Sequence, residues 1–177
     1  NPNSKPPVLK AIYASRGIQN NEELNIKINQ LLPFDSLKDI DKAVERLTQA
    51  LSQQEHIMIV GDFDADGATS TALAVSALKT FGAQHVTYLV PNRFEFGYGL
   101  TPGIVELASQ SKPDLIITVD NGIASFDGVQ SAHDTGIDVL ITDHHIAGDE
   151  IPKAVAVVNP NQPDDQFPSK SIAGVGV

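Results

Sequence analysis

Five short apolar runs constrain this chain more than any other feature. They predict strands over residues 57–60, 86–90, 115–119, 139–142 and 154–158. The runs are apolar almost throughout instead of alternating, which is the mark of strands covered on both faces. Helical stretches lie between them: 69–81, closed by Gly82; 104–109, which Pro102 can start; and 125–135, with Gly136 as its C-cap. Strands alternating with helices give an α/β fold, a doubly wound, mostly parallel five-stranded sheet with helices on both faces. Upstream, Leu37, Ile40, Val44, Leu47 and Leu51 recur at helical spacing. They predict an amphipathic helix over 36–54 with Ser36 as N-cap. Residues 1–20 hold Asn, Pro and Ser with no firm period and read as a loose lead-in. The expected division is a lead-in over 1–35 and one domain over 36–177.

A chain of 177 residues can bury a real core. It has no cysteine, which excludes disulfides, thiolate zinc sites and a cysteine nucleophile. No apolar run approaches the ~18 residues of a membrane span, and no basic-then-apolar leader opens the sequence. These features fit a cytoplasmic protein with no membrane partner. The net charge of −10 argues against a module that binds nucleic acid through a basic surface. It suits a metal enzyme, in which carboxylates hold cations and the cations hold phosphate. The closing Gly174-Val175-Gly176-Val177 reads as the start of another packed element, so a fragment is expected.

Ligands of open parallel sheets bind beyond the carboxyl ends of the strands. The unusual residues fall there, strand after strand. The first strand runs into Gly61-Asp62-Phe63-Asp64-Ala65-Asp66-Gly67, the second into Pro91-Asn92-Arg93, and the third into Asp120-Asn121-Gly122. The fourth runs into Asp143-His144-His145 and the fifth into Asn159-Pro160. Three aspartates so close repel one another, and cations are the simplest compensation. A helix-capping loop of solvated carboxylates is the plainer alternative. Of two adjacent histidines beside a carboxylate, one can ligate metal while the other donates a hydrogen bond or proton to a phosphate oxygen. His56, His85 and His133 read as structural or surface residues. Carboxylates with one imidazole and no thiolate suit Mn2+ or Mg2+, and the number of carboxylates suits two ions about 3.5–4 Å apart. The reaction class is phosphoester hydrolysis by metal-activated water. Arg93 offers a fork for phosphate. Phe94, Phe96 and Tyr98 offer either stacking faces for bases or anchors for their own loop.

These residues resemble the motifs of the DHH phosphoesterases. Asp143-His144-His145 matches the motif behind the name, while Asp64-Ala65-Asp66-Gly67 and Asp120-Asn121-Gly122 look like the family's other metal motifs. The Asn92-Arg93-Phe94 and Gly97-Tyr98-Gly99 segments, with the closing residues 167–177, are similar to the branch that degrades single-stranded DNA from the 5′ end in recombination and repair. The likeness covers roughly residues 55–177. It implies that Asp64, Asp66, Asp120 and His144 are metal ligands for Mn2+ or Mg2+, with Asp120 bridging two ions. It implies that His145 contacts the scissile phosphate, that Asp143 orients the histidines, and that Asp62 assists. Asn92, Arg93, Gly97 and Tyr98 would meet the substrate. Single-stranded DNA is the implied partner, with a repair helicase or single-strand-binding protein beside it. The family also has a further aspartate ligand, a second lobe and, in this branch, an OB-type domain, none of them in this sequence, so the isolated chain is expected to have little activity. Three rival readings stay open: a DHH phosphodiesterase for short oligonucleotides or cyclic dinucleotides, a haloacid-dehalogenase-type phosphatase, and a non-catalytic nucleotide-binding module.

Overall fold

A computed structural model describes residues 5–20, 22–24 and 27–177, without the side chains of Ile28 and Arg93. Five strands form one sheet among the described residues: β1 Ile57–Gly61, β2 Val86–Leu89, β3 Leu115–Val119, β4 Asp138–Thr142 and β5 Ala156–Val158. Their order is β2-β1-β3-β4-β5, and every neighbouring pair is parallel, so the expected mostly parallel sheet is wholly parallel.

The reason the strands read as continuously apolar is now visible. Ile57, Ile59, Leu115, Ile117, Val119 and Leu140 pack on one face, with residues of α2 (Ile40–Gln53) and α3 (Ala65–Thr80). Met58, Val60, Ile116, Val139, Ile141 and Val157 pack on the other face. There they meet the helix at Pro102–Ser109 and the helix at Phe126–Asp134. A short turn of helix, α4 Arg93–Phe96, precedes these two, which are therefore α5 and α6. Both faces of each central strand are thus covered by helices.

Several boundaries differ from those the sequence predicts. Helix α3 starts at Ala65, not Thr69, because Asp64 caps it: its Oδ1 accepts the N–H groups of Asp66 and Gly67 at 2.9 and 3.0 Å. Asp66 therefore rides on the first helical turn. Gly67 is needed there, since a Cβ would run into the backbone of Asp62. Helix α2 begins at Ile40, not Ser36; Ser36 belongs to a 3₁₀ turn, Phe34–Ser36, and Asp39 takes the N-cap position in a left-handed conformation. The expected apolar stripe holds in part, since Leu37, Ile40 and Leu47 pack with the core. Ala43, Arg46 and Ala50 are the buried residues of α2, while Val44 is 52% exposed. Arg46 holds Glu55 and Asp138 at 2.7 Å each, at the amino-terminal end of the sheet. Val44, Leu47 and Leu51 also line an apolar groove of about 370 Å³, opposite Leu73 and Ala77 of α3 and its C-cap Phe81.

Residues 1–33 form a unit of their own. The expected loose lead-in contains a helix, α1 Pro7–Ser15, with proline in its first turn and no buried side chain. Within this unit the Lys5 ammonium sits 4.9 Å from the centre of the Tyr13 ring.

The chain passes from β1 outward to β2 and then crosses back to β3, so its direction of travel reverses between β1 and β3. Crevices at such reversals are where doubly wound sheets take ligands.

Asp165 is the ion-paired residue whose removal tests the packing of the chain after β5. Its buried carboxylate accepts the N–H of Lys38 at 2.7 Å, the N–H of Phe167 at 2.8 Å and the Lys170 ammonium at 3.0 Å. Burial pushes its pKa up, but these donors outweigh burial and hold it below the ordinary carboxylate range. A pKa depressed by folding stabilises the protein above the unfolded value of about 3.9, and that stability is lost as pH falls through the folded value. Asp165→Ala should therefore cost about 1–3 kcal/mol at neutral pH by stranding buried donors. Urea denaturation at pH 7 and again below pH 4 checks this, and the gap between variant and wild type should narrow in acid.

Candidate metal centre

The three central strands end level with one another. Gly61 pairs with Val119, and Val119 pairs with Thr142. The next residues, Asp62, Asp120 and Asp143, therefore stand side by side on neighbouring strand ends, which are about 4.8 Å apart in any sheet. Asp64, Asp66, His144 and His145 follow in the same loops.

Asp143 and Asp120 are both buried, at 1% and 2% exposure, and differ in their partners. Asp143 Oδ1 accepts the backbone N–H groups of His144 and His145 at 2.7 and 3.2 Å, and lies 2.7 Å from His145 Nδ1. Its Oδ2 accepts the N–H of Ile123 at 2.9 Å. Its charge is fully satisfied by the protein. Asp120 Oδ1 is buried and accepts no hydrogen bond, although His144 Nε2 is only 3.0 Å away. One histidine tautomer reconciles these facts. His144 Nδ1 lies 2.7 Å from the carbonyl oxygen of Ile172. Only a protonated nitrogen can donate to that carbonyl, so the neutral ring leaves Nε2 a bare lone pair. With the ring neutral, a carboxylate oxygen and an unprotonated imidazole nitrogen then lie 3.0 Å apart. Oxygen and nitrogen donors so placed fit a divalent cation. Burial first, and then the charges of Asp66 and Asp64, push the Asp120 pKa up to about 6, against the opposing pull of His144 and His145.

Two groups of candidate ligand atoms share Asp120. Asp62, Asp64 and Asp120 form one, and Asp120, His144 and His145 the other, each with its atoms within 4.8 Å of one another. Asp66, a ligand by the sequence reading, falls in neither group. Its Oδ2 is 3.7 Å from His144 Nε2, and its two oxygens accept the N–H groups of Gly174 and Val175. Burial alone would lower the His145 pKa, but the hydrogen bond and charge of Asp143, with the charges of Asp120 and Asp62, raise it above the ordinary value. The Tyr98 hydroxyl lies 3.2 Å from His145 Nε2. Asp62, Asp64, Gly97, Tyr98 and His145 line an open cleft of about 520 Å³.

The remaining sequence candidates divide. Asn92 Oδ1 accepts the N–H of Phe94 and so caps α4. The Arg93 side chain lies outside the described residues. Phe96 packs against the core and anchors its loop, whereas Phe94 is 94% exposed. His56 is held by Ser111 and Thr87 near the opposite end of the sheet. Sequence reasoning gave no role to Asn159 and Asn161, whose amides donate to the carbonyl oxygens of His145 and His144. An asparagine ending the fifth strand was a usable signal for the first. The carbonyl of Ile172 had none, because backbone groups leave no mark in composition.

Residues 56–177 match the DHH family, N-terminal domain. The single-stranded-DNA-specific exonuclease RecJ of Escherichia coli (strain K12) is 52% identical over 176 residues, covering 99% of this chain and 30% of that protein. The chain spans about 30% of the length of such curated relatives. Of solved structures, exonuclease RecJ bound to manganese has a TM-score of 0.72 at 37% identity, over 83% of this chain and 36% of that one. RecJ from Thermus thermophilus in complex with Mn2+ has a TM-score of 0.70 at 34% identity, over 93% of this chain and 22% of that one.

The stranded charge of Asp120 has a measurable cost. Its folded pKa is raised, so the group destabilises the metal-free chain at all pH values above the unfolded pKa. Asparagine removes the charge, can donate its amide N–H to the bare His144 nitrogen, and tolerates the left-handed φ of 61° at this position. Asp120→Asn should therefore stabilise the metal-free chain at pH 7 by about 1–3 kcal/mol. Thermal melts in chelator check it, and a lower melting temperature for the variant would contradict it.

Proposed function

This chain belongs to the DHH family, and from that membership we propose that it is the metal-binding part of an enzyme that hydrolyses phosphodiester bonds in single-stranded DNA from the 5′ end. The observation that carries the reading is the buried Asp120 Oδ1, which accepts no hydrogen bond although His144 Nε2 lies 3.0 Å away. The 52% identity to a single-stranded-DNA-specific exonuclease supports the substrate.

In this reading Asp64, Asp66, Asp120 and His144 would hold two Mn2+ or Mg2+ ions, with Asp120 common to both groups of candidate ligand atoms and Asp62 close enough to assist. Bound ions of this kind polarise a phosphoryl oxygen and lower the pKa of a water. The chain's own residues do the rest. Asp143 fixes the ring of His145 and favours its protonated form, so that His145 offers a proton to a phosphate oxygen at the mouth of the cleft. Tyr98 bears on the same ring and presents an aromatic face to a base. Asn92, Arg93 and Gly97 carry the strand past it. The same proposal takes 1–35 as a lead-in and 36–177 as a DHH domain whose further aspartate ligand lies outside this chain. It includes a cytoplasmic setting and delivery of the strand by a repair helicase or single-strand-binding protein. Among the described residues no helix is long and apolar enough to cross a membrane.

Mn2+ should raise the melting temperature of the chain, and Asp120→Ala should abolish the rise. The affinity for Mn2+ should fall as pH drops through about 6, because protons then compete for Asp120. In a protein of the relatives' full length, His145→Ala should lower kcat on long single strands by about 10²–10⁴-fold, while the 177-residue chain alone releases little nucleotide. Equal cleavage of dinucleotides and long strands by the full-length protein would overturn the single-strand reading in favour of a small-substrate phosphodiesterase. A wild-type melt indifferent to Mn2+ would count against the metal centre.

A further inference from the structure

The proposed ligands Asp66, Asp120 and His144 come from three separate elements: the first turn of α3, the end of β3 and the end of β4. One four-residue stretch near the end of the chain touches all three. The carbonyl oxygen of Ile172 lies 2.7 Å from His144 Nδ1. The N–H groups of Gly174 and Val175 donate to Asp66 Oδ2 and Oδ1 at 2.7 and 2.8 Å. Gly174 also lies against Asp120: a Cβ added to it would sit 2.5 Å from Oδ1 and 2.9 Å from Cγ of that carboxylate. Oδ1 is the buried oxygen that accepts no hydrogen bond.

Each contact does separate work. A carbonyl at Nδ1 decides which ring nitrogen carries the proton and leaves Nε2 bare toward Asp120. Two N–H donors, one to each oxygen of Asp66, fix its rotation while leaving each oxygen another lone pair. A residue without Cβ lets the backbone close over Asp120 without filling the space beside its stranded oxygen. We propose that residues 172–175 are a positioning strap for the metal centre, made of backbone groups and one obligatory glycine, that sets the His144 tautomer and holds Asp66 and Asp120 in place for the cations. The strap rests on the metal reading above, and it adds residues that touch the ligands without being ligands themselves.

Groups that orient ligands are typically worth about 10–100-fold in metal affinity. Gly174→Ala should weaken Mn2+ binding by the 177-residue chain by that factor, measured by electron paramagnetic resonance of the free ion. Gly148→Ala is the control, since a Cβ there meets nothing nearer than 3.9 Å, and it should bind as wild type does. Nitrogen-15 NMR of the metal-free wild-type chain supplies a readout that needs no variant to fold: His144 should carry its proton on Nδ1. Wild-type Mn2+ affinity in folded Gly174→Ala, or a His144 proton on Nε2, would overturn the strap. If the wild-type chain takes up no Mn2+, the metal reading fails and the strap falls with it, whereas a His144 proton on Nε2 in a chain that does bind Mn2+ overturns the strap alone.

Discussion

In a sheet whose strands all run the same way, every strand ends at the same edge. Here the register goes further, because Gly61, Val119 and Thr142 lie level across β1, β3 and β4. Three aspartates placed one residue beyond these ends have no choice but to crowd. Nothing about the loops needs to bring them together; backbone pairing deep in the sheet has already done so. The order β2-β1-β3-β4-β5 opens a crevice beside them, since the helices that follow β1 and β3 pack on opposite faces. The site is thus a consequence of how the strands are hydrogen-bonded far below it.

Crowded carboxylates must each be compensated, and two neighbours show the two ways of doing it. Asp143 is surrounded by N–H donors that occupy both of its oxygens. Asp120 has almost the same burial, yet its Oδ1 accepts no hydrogen bond. The first kind of residue holds a fold together, and the second stores unfavourable free energy that a ligand can release. His145 and His144 divide in the same way. Asp143 makes one a proton donor, while Ile172 makes the other an acceptor, although the two are adjacent in sequence.

The fold was legible because burial on both faces left the central strands with few polar positions to confuse their reading. The acidic rim was legible for the same reason, since polar residues stood out at each strand end. What stayed hidden depended on contacts between distant segments. Ser36 has the chemistry of an N-cap, yet α2 starts four residues later, where Asp39 bonds with Lys42 and reaches the backbone of Val157. Of the stripe Leu37, Ile40, Val44, Leu47 and Leu51, the first, second and fourth pack with the core, yet the buried residues of α2 are Ala43, Arg46 and Ala50, because small residues allow close approach and Arg46 finds Glu55 and Asp138. Periodicity reports that a helix has an apolar side; it does not report which side the neighbours require. The partition of Asp62, Asp64 and Asp66 was equally out of reach, since it turns on a cap at Asp64 and on backbone donors more than a hundred residues away.

The groove between α2 and α3 leaves Val44, Leu73 and Phe81 in contact with water in the folded chain. Hydration of that wall is already present before unfolding, so unfolding cannot add it. The heat capacity of unfolding follows newly exposed apolar area, commonly ~12–15 cal/mol/K per residue. The exposed wall therefore contributes nothing of its own to the heat capacity of unfolding. Any surface that came to cover the groove would steepen the dependence of stability on temperature by drying the same side chains.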